Sequence, residues 1–392
     1  MSQISWPTSN LERLMTAWRH DFHQNPELGF NEHRTSKKVA DLLASFGLEV
    51  HAGLGQTGVV GVLQKGNATN SIGLRADMDA LPILETTDVS YQSSNPGVMH
   101  ACGHDGHTSM LLGAAKHLTE SGDFNGRVVF IFQPNEENGL GAAAMLEDGL
   151  FDKFGVDEVH GMHNIPGMKV GTFATRPGAV TASESLFEIE ISAHGGHAAL
   201  PHMGVDAILV GSEIVGALQT IVSRKLDPSL NGVVSVTGFE TDGRRNVLPG
   251  KATLRGDARA LHPDINQSIE THMRKIVDGV CMAHGVTAVV SYDTIFPATI
   301  NAAGAAKSAV LAAQMLAGKD AVDGDCPAKL FSEDFAHLAA ARPGCFMLMG
   351  NGVEGAHARP LHSSGYDFND DALVAGSSYW VTLVEQQLGK GE

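Results

Sequence analysis

The sequence predicts a two-domain α/β protein in which a smaller α+β domain interrupts the larger one. Short apolar runs alternate with helical patterns near both ends of the chain, as in an α/β layered domain. Near Ser183 the pattern changes to strands with one polar face, which is typical of antiparallel sheets. A chain of 392 residues is long enough for two domains, each with its own hydrophobic core.

The larger domain is predicted from both ends of the chain. Apolar residues three and four positions apart predict helices, and short apolar runs bounded by Gly and Asn predict buried strands. The run 128–132 is apolar throughout, which favours a strand covered on both faces of a largely parallel sheet. In chain order, the predicted elements are helices over 9–24 and 35–46, strands over 59–63 and 72–74, a helix over 107–118, a strand over 128–132, helices over 141–147, 302–316 and 334–341, a strand over 345–349 and a helix over 370–388.

The segment 183–294 is predicted to form the inserted domain. Three apolar residues from Phe187 to Ile191 alternate with two glutamates, so this strand has one dry and one wet face. Two strand–helix–strand passages lie within the segment, a pattern typical of a ferredoxin-like α+β fold. The predicted helices cover 205–222 and 265–283, and the further predicted strands cover 233–239, 252–260 and 286–292.

The composition narrows the class of protein. The chain has 27 Lys and Arg against 44 Asp and Glu, a formal net charge of −17, and shows no basic cluster, which excludes a nucleic-acid partner. Four scattered cysteines are too few for a disulfide framework and are interpreted as reduced thiols. No apolar run approaches the length of a membrane span, and Arg and His interrupt the N-terminal segment. A soluble cytoplasmic protein with no membrane partner is therefore expected.

Histidine stands out, because the chain has 19 and histidine is the commonest metal ligand. The densest cluster runs from His100 to His107 and contains Cys102, His104 and Asp105. In an extended loop, Cys102 and His104 would point to the same side, and a thiolate with an imidazole suits a transition metal. The alternative is a polar helix N-terminus beside a buried thiol. The sequence alone assigns no role to His100, Asp105 or His107.

Two adjacent carboxylates, Glu136 and Glu137, follow the apolar strand 128–132. Adjacent carboxylates repel each other, so the pair is costly at the end of a core strand unless a cation compensates one of them. Metal hydrolases need one carboxylate on the metal and a second one to take a proton from water. The alternative is an acidic helix N-terminus, which the helix dipole favours.

Two further histidines, His163 and His362, follow predicted strands or loops. Each alone would more often be structural. Together with Cys102, His104 and Glu137 they make five potential ligands, too many for one tetrahedral ion with an open position. The set therefore predicts a two-metal centre.

Asp77 and Asp79 follow the predicted strand 72–74. A histidine that binds a metal normally donates its second N–H to a carboxylate or carbonyl, so one of these aspartates is expected behind a ligand histidine. A cap for the following chain segment is the alternative for Asp77.

Several ordered motifs together resemble the M20 metallopeptidases, specifically their amidohydrolase branch of hippurate hydrolases, N-acyl-amino-acid deacylases and plant auxin-conjugate hydrolases. The resemblance extends from about His23 to the last predicted helix. It implies a phosphorylase/hydrolase-like α/β catalytic domain over 1–182 and 295–392, and an inserted ferredoxin-like lid over 183–294 that mediates dimerisation. The motifs are RADMDALPI, MHACGHDGHTSMLLGAA, FQPNEENGLGAAAML, GMHN, GGHAALPHMGVDAI and LHSSGYDFND.

The resemblance also assigns roles to residues. Glu136 resembles the general base, and His197 in the inserted domain resembles a histidine that stabilises the oxyanion. Asn246 resembles a substrate-binding residue facing the cleft, and Asp79 is expected to support a ligand from behind. By the same resemblance, the metal ligands are Cys102, His104, Glu137, His163 and His362.

At 77–79 this chain has Asp-Met-Asp, where peptidases of the wider family have His-x-Asp, and those peptidases lack the cysteine of the ligand set. This departure favours an amidase over a peptidase.

The resulting hypothesis is metal-dependent hydrolysis of the amide bond of N-acyl amino acids, with hippurate-like substrates favoured. The cofactors are expected to be two divalent ions, and a Cys/His/Glu set tolerates Zn, Mn, Co or Ni. A dipeptidase or an N-acetyl-diamino-acid deacetylase is the alternative enzyme. A non-catalytic binding protein has no need of the carboxylate of Glu136 beside Glu137. A small-molecule substrate and a homodimer or dimer-based oligomer, formed through the inserted domain, are the expected partners.

Overall fold

The structure is a computed structural model that describes residues 9–389. The helices are α1 (Ser9–Gln24), α2 (His33–Phe46), α3 (His104–Ser121), α4 (Gly141–Glu147), α5 (Leu150–Phe154), α6 (Ala207–Thr220), α7 (Pro263–His284), α8 (Ala303–Ala317), α9 (Phe335–Ala341) and α10 (Asp371–Leu388). The strands are β1 (Glu49–Leu54), β2 (Gly58–Lys65), β3 (Ser71–Asp77), β4 (Gly126–Gln133), β5 (Glu158–Pro166), β6 (Phe173–Ala174), β7 (Gly178–Thr181), β8 (Ser183–Ser192), β9 (Gly196–His197), β10 (Gly232–Thr241), β11 (Val247–Leu248), β12 (Lys251–Ala260), β13 (Thr287–Phe296), β14 (Thr299–Asn301), β15 (Val322–Asp323) and β16 (Gly344–Gly352).

The chain divides into two compact units. The larger holds the chain up to Val180, Ile300–Pro327 and the chain from Asp334 onward, and the smaller holds Thr181–Thr299 and Ala328–Glu333. The sequence predicts 183–294 for the smaller domain and assigns the short segment 328–333 to the larger one. It lies in the smaller unit because the N–H of Ala182 donates to the carbonyl of Phe331 at 3.1 Å, a pairing between segments remote in sequence.

The larger unit is built on an eight-stranded sheet with the order β1-β2-β4-β3-β5-β16-β6-β15. Its central strands β4, β3, β5 and β16 run parallel to one another. At one edge β2 pairs antiparallel with β4, and β1 pairs antiparallel with β2. Alternate residues of the buried strands enter two cores. Phe130 belongs to the core that the sheet shares with α1, α2, α3, α8 and α10. Ile131 belongs to the core on the other face, which is shared with α4, α5 and α9. The α/β class predicted from the sequence is confirmed.

The parallel register decides where the polar residues meet. Asp77 lies opposite Gln133 in the β3–β4 pair, so the chain leaves both strands at the same edge. Strand β5 pairs with the other side of β3 in the same direction. The segments after β3 and β4 and the end of β5 therefore converge, which is where open α/β sheets place their sites.

The smaller unit is a four-stranded antiparallel sheet with the order β10-β12-β8-β13. Helices α6 and α7 cover one face, and residues such as Ile189, Leu254, Ile214 and Met273 fill the core between helices and sheet. Among the described residues, the stretch Ala207–Lys225 is long and apolar enough to cross a membrane, and a third of its window is buried in this unit.

Two local expectations from the sequence were wrong. His104 and the residues after it lie in the first turn of α3 instead of an extended loop, because Gly103 takes a left-handed conformation with φ 95° and starts the helix there. His163 lies within β5 and does not follow it. Strand β1 was not predicted, since its sequence EVHAGL is largely exposed and has little apolar pattern.

Candidate metal centre

Three of the predicted ligands meet where β5 faces the start of α3. Ligand atoms of Cys102, His104 and His163 all lie within 4.8 Å of one another, and the three side chains are buried. The Sγ of Cys102 lies 3.3 Å from Nε2 of His163. A thiolate and two imidazoles at this spacing form a donor set suited to a transition metal.

Backbone carbonyls fix which ring nitrogen faces this cluster. Nδ1 of His104 donates to the carbonyl of Asp79 at 2.9 Å, and Nδ1 of His163 donates to the carbonyl of Asn164 at 2.7 Å. A carbonyl can only accept, so in each neutral ring Nε2 carries the lone pair. Nε2 of His104 is buried with no hydrogen-bond partner among the described residues. A divalent cation would satisfy that lone pair, so these residues fit the metal that the sequence predicts.

The remaining predicted ligands extend the cluster. Atoms of Cys102, Glu137 and His362 form a second group within 4.8 Å, and Nε2 of His362 lies 3.5 Å from a carboxylate oxygen of Glu137. The other carboxylate oxygen of Glu137 is buried and has no hydrogen-bond partner among the residues described. Cys102 belongs to both groups, so the structure brings the five predicted ligands together as two overlapping donor sets.

Several ionisable groups of the cluster have strongly shifted pKa values. Burial and the nearby Asp79 and Asp77 raise the pKa of Glu137 to about 7 against the opposing effect of His104. Burial disfavours the charged form of His104, but Asp77 and Asp79 outweigh it and raise its pKa to about 10. Although Asp77 is also buried, His104 and Arg75 hold its pKa well below the usual range. Such perturbed carboxyl and imidazole groups are typical of a functional site.

Asp79 contacts two of the predicted ligands. Its carbonyl and Oδ1 lie 2.9 and 3.2 Å from Nδ1 of His104, and its Oδ2 accepts the backbone N–H of Glu137 at 3.0 Å. This one residue therefore fixes the ring of His104 and the backbone of Glu137 at the same time.

His107 and Asp77 form a second layer behind the cluster. Nδ1 of His107 lies 2.6 Å from Asp77, and its Nε2 lies 2.8 Å from Oδ1 of Asn164. The Nδ2 group of Asn164 in turn donates to the hydroxyl of Tyr366 at 2.6 Å. The sequence alone assigns no role to His107 and leaves that of Asp77 open. The structure shows both as part of a buried hydrogen-bonded chain that runs through Asn164 to Tyr366.

Asp105 turns away from the ligands. It lies 2.9 Å from Nδ1 of the buried His23 and 3.5 Å from Arg19. Burial opposes the charge on His23, but hydrogen bonds to Asp105 and Glu85 raise its pKa to about 9. Burial lowers the pKa of nearby His100 to about 4, so that ring is neutral. The contacts of Asp105 with His23 and Arg19 therefore support the first turn of α3, and Asp105 is not one of the clustered ligands.

One contact to Glu136, the predicted base, is not visible in the sequence. Arg75 lies 2.6 Å from Asp77 and 2.9 Å from Asp334, and all three side chains are fully buried. The backbone N–H of Asp334 donates to Oε1 of Glu136 at 3.4 Å. One signal was available, since Arg75 interrupts an apolar strand and a buried arginine needs carboxylate partners. Nothing in the sequence identified Asp334 as one of them.

A family profile described as Peptidase family M20/M25/M40 matches residues 73–386, which is most of the chain. The chain belongs to this family. The matched residues include every predicted ligand and the insert, and the match confirms the resemblance to the M20 metallopeptidases.

Individual relatives align with this chain over nearly their whole length. Hippurate hydrolase of Campylobacter jejuni is 41% identical over 94% of this chain and 95% of its own. Thermostable carboxypeptidase 2 of Saccharolobus solfataricus is 36% identical over 94% and 93%. The crystal structure of the Bacillus subtilis YXEP protein, a dinuclear metal-binding peptidase from the M20 family, superposes with a TM-score of 0.85 at 30% identity and covers 97% of this chain and 99% of that one. This M20 chain is a metal-dependent amidohydrolase.

Two predicted site residues of this M20 chain lie in the smaller unit. Strand β9 pairs with β11, with His197 opposite Val247, and the N–H of Ala198 donates to the carbonyl of Asn246 at 3.0 Å. The side chains of His197 and Asn246 are exposed. The N–H of Ala199 donates to Nδ1 of His197 at 3.0 Å, so the neutral ring carries its proton on Nε2 and presents a hydrogen-bond donor.

Proposed function

We propose that this M20 enzyme hydrolyses the amide bond of N-acyl amino acids, with hippurate-like substrates favoured. The products are a carboxylic acid and a free amino acid. The observation that carries the proposal is the placement of Glu136, whose carboxylate lies within 4.8 Å of ligand atoms of both His104 and Glu137. The 41% identity to a hippurate hydrolase supports the choice of substrate class.

In this proposal the donor cluster holds two divalent cations, drawn from Zn, Mn, Co or Ni. When bound, they acidify a water molecule and polarise the amide carbonyl. Asp79 holds two of the proposed ligands, His104 and Glu137, in position through its hydrogen bonds with them. The residues proposed as ligands are Cys102, His104, Glu137, His163 and His362.

Glu136 is the proposed general base and then the general acid. It takes the proton of the attacking water and passes it to the leaving amine nitrogen, which must be protonated to depart. The N–H of Asp334 donates to Oε1 of Glu136 and so orients the carboxylate. The Nε2–H of His197 is the proposed donor to the oxyanion, and Asn246 is the proposed contact to substrate.

The cellular setting is proposed from the sequence. The enzyme is expected to work in the cytoplasm on a small-molecule substrate, with no nucleic-acid or membrane partner. The smaller unit is proposed to join two copies of the chain as a homodimer or a dimer-based oligomer. A dipeptidase is the second candidate function, favoured by the 36% identity to a thermostable carboxypeptidase.

The substrate assay is the direct test. Purified protein loaded with Mn²⁺ or Zn²⁺ should release glycine and benzoate from hippurate, and a chelator should reduce the rate to background because the water is then no longer acidified. The panel includes N-acetylated amino acids, an N-acetyl-diamino acid and simple dipeptides, and faster cleavage of dipeptides would favour the second candidate. Failure to release an amino acid from any panel member, with metal bound, would instead favour a non-catalytic metal-binding protein.

The role of His197 is tested by His197→Ala. Loss of one preorganised donor to an oxyanion should lower kcat by about 100-fold. His202→Ala is the matched control, since His202 is exposed in the same segment of the smaller unit and should leave kcat unchanged. If the kcat of His197→Ala stayed within about twofold of wild type, His197 would have no role in stabilising the oxyanion.

A further inference from the structure

The loop that carries Glu136 has an unusual backbone at its first turn. Asn135, directly before Glu136, is one of four described non-glycine residues with positive φ, at 47°. Left-handed backbone costs energy for a residue with a Cβ, although Asn adopts it more readily than most, and contacts from the surroundings can hold it in place. The contacts around Asn135 should therefore show what enforces it.

The segment before α2 supplies one such contact. Glu32 is fully buried, and its Oε1 accepts the backbone N–H of Asn135 at 2.9 Å while its Oε2 accepts the hydroxyl of Thr57 at 2.6 Å. No cation pairs with Glu32 among residues 9–389, so this buried carboxylate is satisfied by neutral donors. Burial of a carboxylate is costly unless it is hydrogen-bonded, and these two hydrogen bonds offset part of that cost.

Gly29 supplies the second contact, through steric fit. A Cβ added to Gly29 would lie 1.8 Å from Oδ1 and 2.5 Å from Cγ of Asn135. Gly29 does not have a left-handed φ, so its backbone conformation suits any residue, and the glycine is required only for space. The segment thus fits closely against Asn135, and a larger residue at position 29 would displace the Asn135 side chain.

Further hydrogen bonds connect Asn135 and Glu136 to other residues of the same loop. Its carbonyl accepts the N–H of Gly141 at 3.1 Å, and its side-chain oxygen accepts from Asn138. The carbonyl of Glu136 accepts the N–H of Gly139 at 2.7 Å. A shift of Asn135 would therefore turn the whole loop, and with it the carboxylate of Glu136.

We propose that Glu32, Asn135 and Gly29 form a clasp that aims Glu136, with Glu32 and Asn135 as positioning residues for the base. Glu32 holds the N–H of Asn135, Gly29 leaves the space for its side chain, and the left-handed backbone then directs Glu136 toward His104. This inference rests on the proposed function, because it needs Glu136 to be the base. The clasp itself contains no metal ligand and no residue of the smaller unit.

Glu32→Ala, assayed at saturating metal because the ligand Glu137 lies in the same loop, should lower kcat by about 10- to 100-fold, since a displacement of about 1 Å costs on that scale, while KM stays near wild type. Glu32→Gln should recover most of kcat, because the amide oxygen still accepts from Asn135 and the amide N–H₂ can donate to Thr57. Glu27→Ala is the matched control. Glu27 accepts the N–H groups of Arg34 and Thr35 at the start of α2, so its loss affects that helix without touching Asn135. Wild-type kcat in folded Glu32→Ala, or a Gln variant as impaired as the Ala variant, would overturn the clasp.

A second pair of variants tests the steric contact. Gly29→Ala should lower kcat to a similar extent, and the double change Gly29→Ala with Asn135→Gly should recover it, since glycine adopts a positive φ freely and removes the clashing side chain. An unaffected single variant, or a double variant that is no better than the single one, contradicts the proposal.

A structural measurement separates this proposal from the proposed function. A crystal structure of metal-free Glu32→Ala should show the 134–141 loop rearranged and the carboxylate of Glu136 moved away from its wild-type position by about 1 Å, the scale on which alignment matters. An unmoved loop overturns the clasp even if the wild-type enzyme is an active amidase. A moved loop in a protein without amidase activity supports the clasp and refutes the function.

Discussion

Glu136→Gln is expected to lower the turnover of an acyl amino acid by about two to four orders of magnitude, the usual contribution of a general acid–base group. The amide has nearly the same shape and its oxygen can still accept the N–H of Asp334, so the loop should keep its position. What the amide cannot do is take a proton from water. Steady-state kinetics and elemental analysis of the same sample measure the two properties, and metal content should remain at the wild-type value.

Glu147→Gln is the matched control for this change. Glu147 ends α4, a short distance along the chain, and is exposed, so the same chemical change there should leave turnover unchanged. Nearly unchanged turnover in Glu136→Gln would exclude Glu136 as the base. A loss of metal from that variant would instead show that Glu136 is a ligand, and the assignment of the two adjacent glutamates would then have to be reversed.

Cys102→Ala is expected to remove at least one equivalent of bound metal. Its sulfur is shared by both donor groups, one with His104 and His163 and one with Glu137 and His362. Loss of a residue that only supports a ligand weakens metal binding about 10- to 100-fold, so loss of a shared ligand should exceed that range. Metal titration and elemental analysis after dialysis measure the effect, and amidase activity should fall with the metal.

The control for Cys102→Ala is Cys281→Ala. Cys281 is also a buried thiol, but it packs in the core of the smaller unit on α7, so its loss should change stability slightly and metal content not at all. Retention of both metal equivalents by Cys102→Ala would remove this cysteine from the ligand set. The donor cluster would then have to be completed by one of the aspartates at 77 and 79.

The site residues were predictable because their chemistry is visible in short stretches of sequence. Glu136 beside Glu137, after an apolar strand, already poses a charge problem that a cation solves. The cluster around Cys102 and His104 likewise joins donor types that suit one class of metal. The parallel direction of the strands then explains why these two groups of residues meet, since parallel strands end at the same edge of the sheet.

The contacts that support the site were not predictable in the same way. Arg75 and Asp334 are 259 positions apart, and no periodicity in one segment identifies its partner in the other. Gly29 and Asn135 meet only because of how the tertiary structure packs. Local backbone geometry was the other source of error, since a left-handed glycine at Gly103 started α3 earlier than its apolar pattern suggested.

The order of strands in the larger sheet also has a consequence for how the protein is made. Strand β16 pairs along the full length of β5, yet the whole of the smaller unit is synthesised between them. While the ribosome is still extending the chain, β5 therefore has an open hydrogen-bonding edge, and the smaller unit can fold first because its own sheet is complete by β13. Such delayed, long-range pairing is slow and exposes a strand edge to aggregation. Expression of this enzyme should therefore depend on chaperones during the interval before β16 emerges.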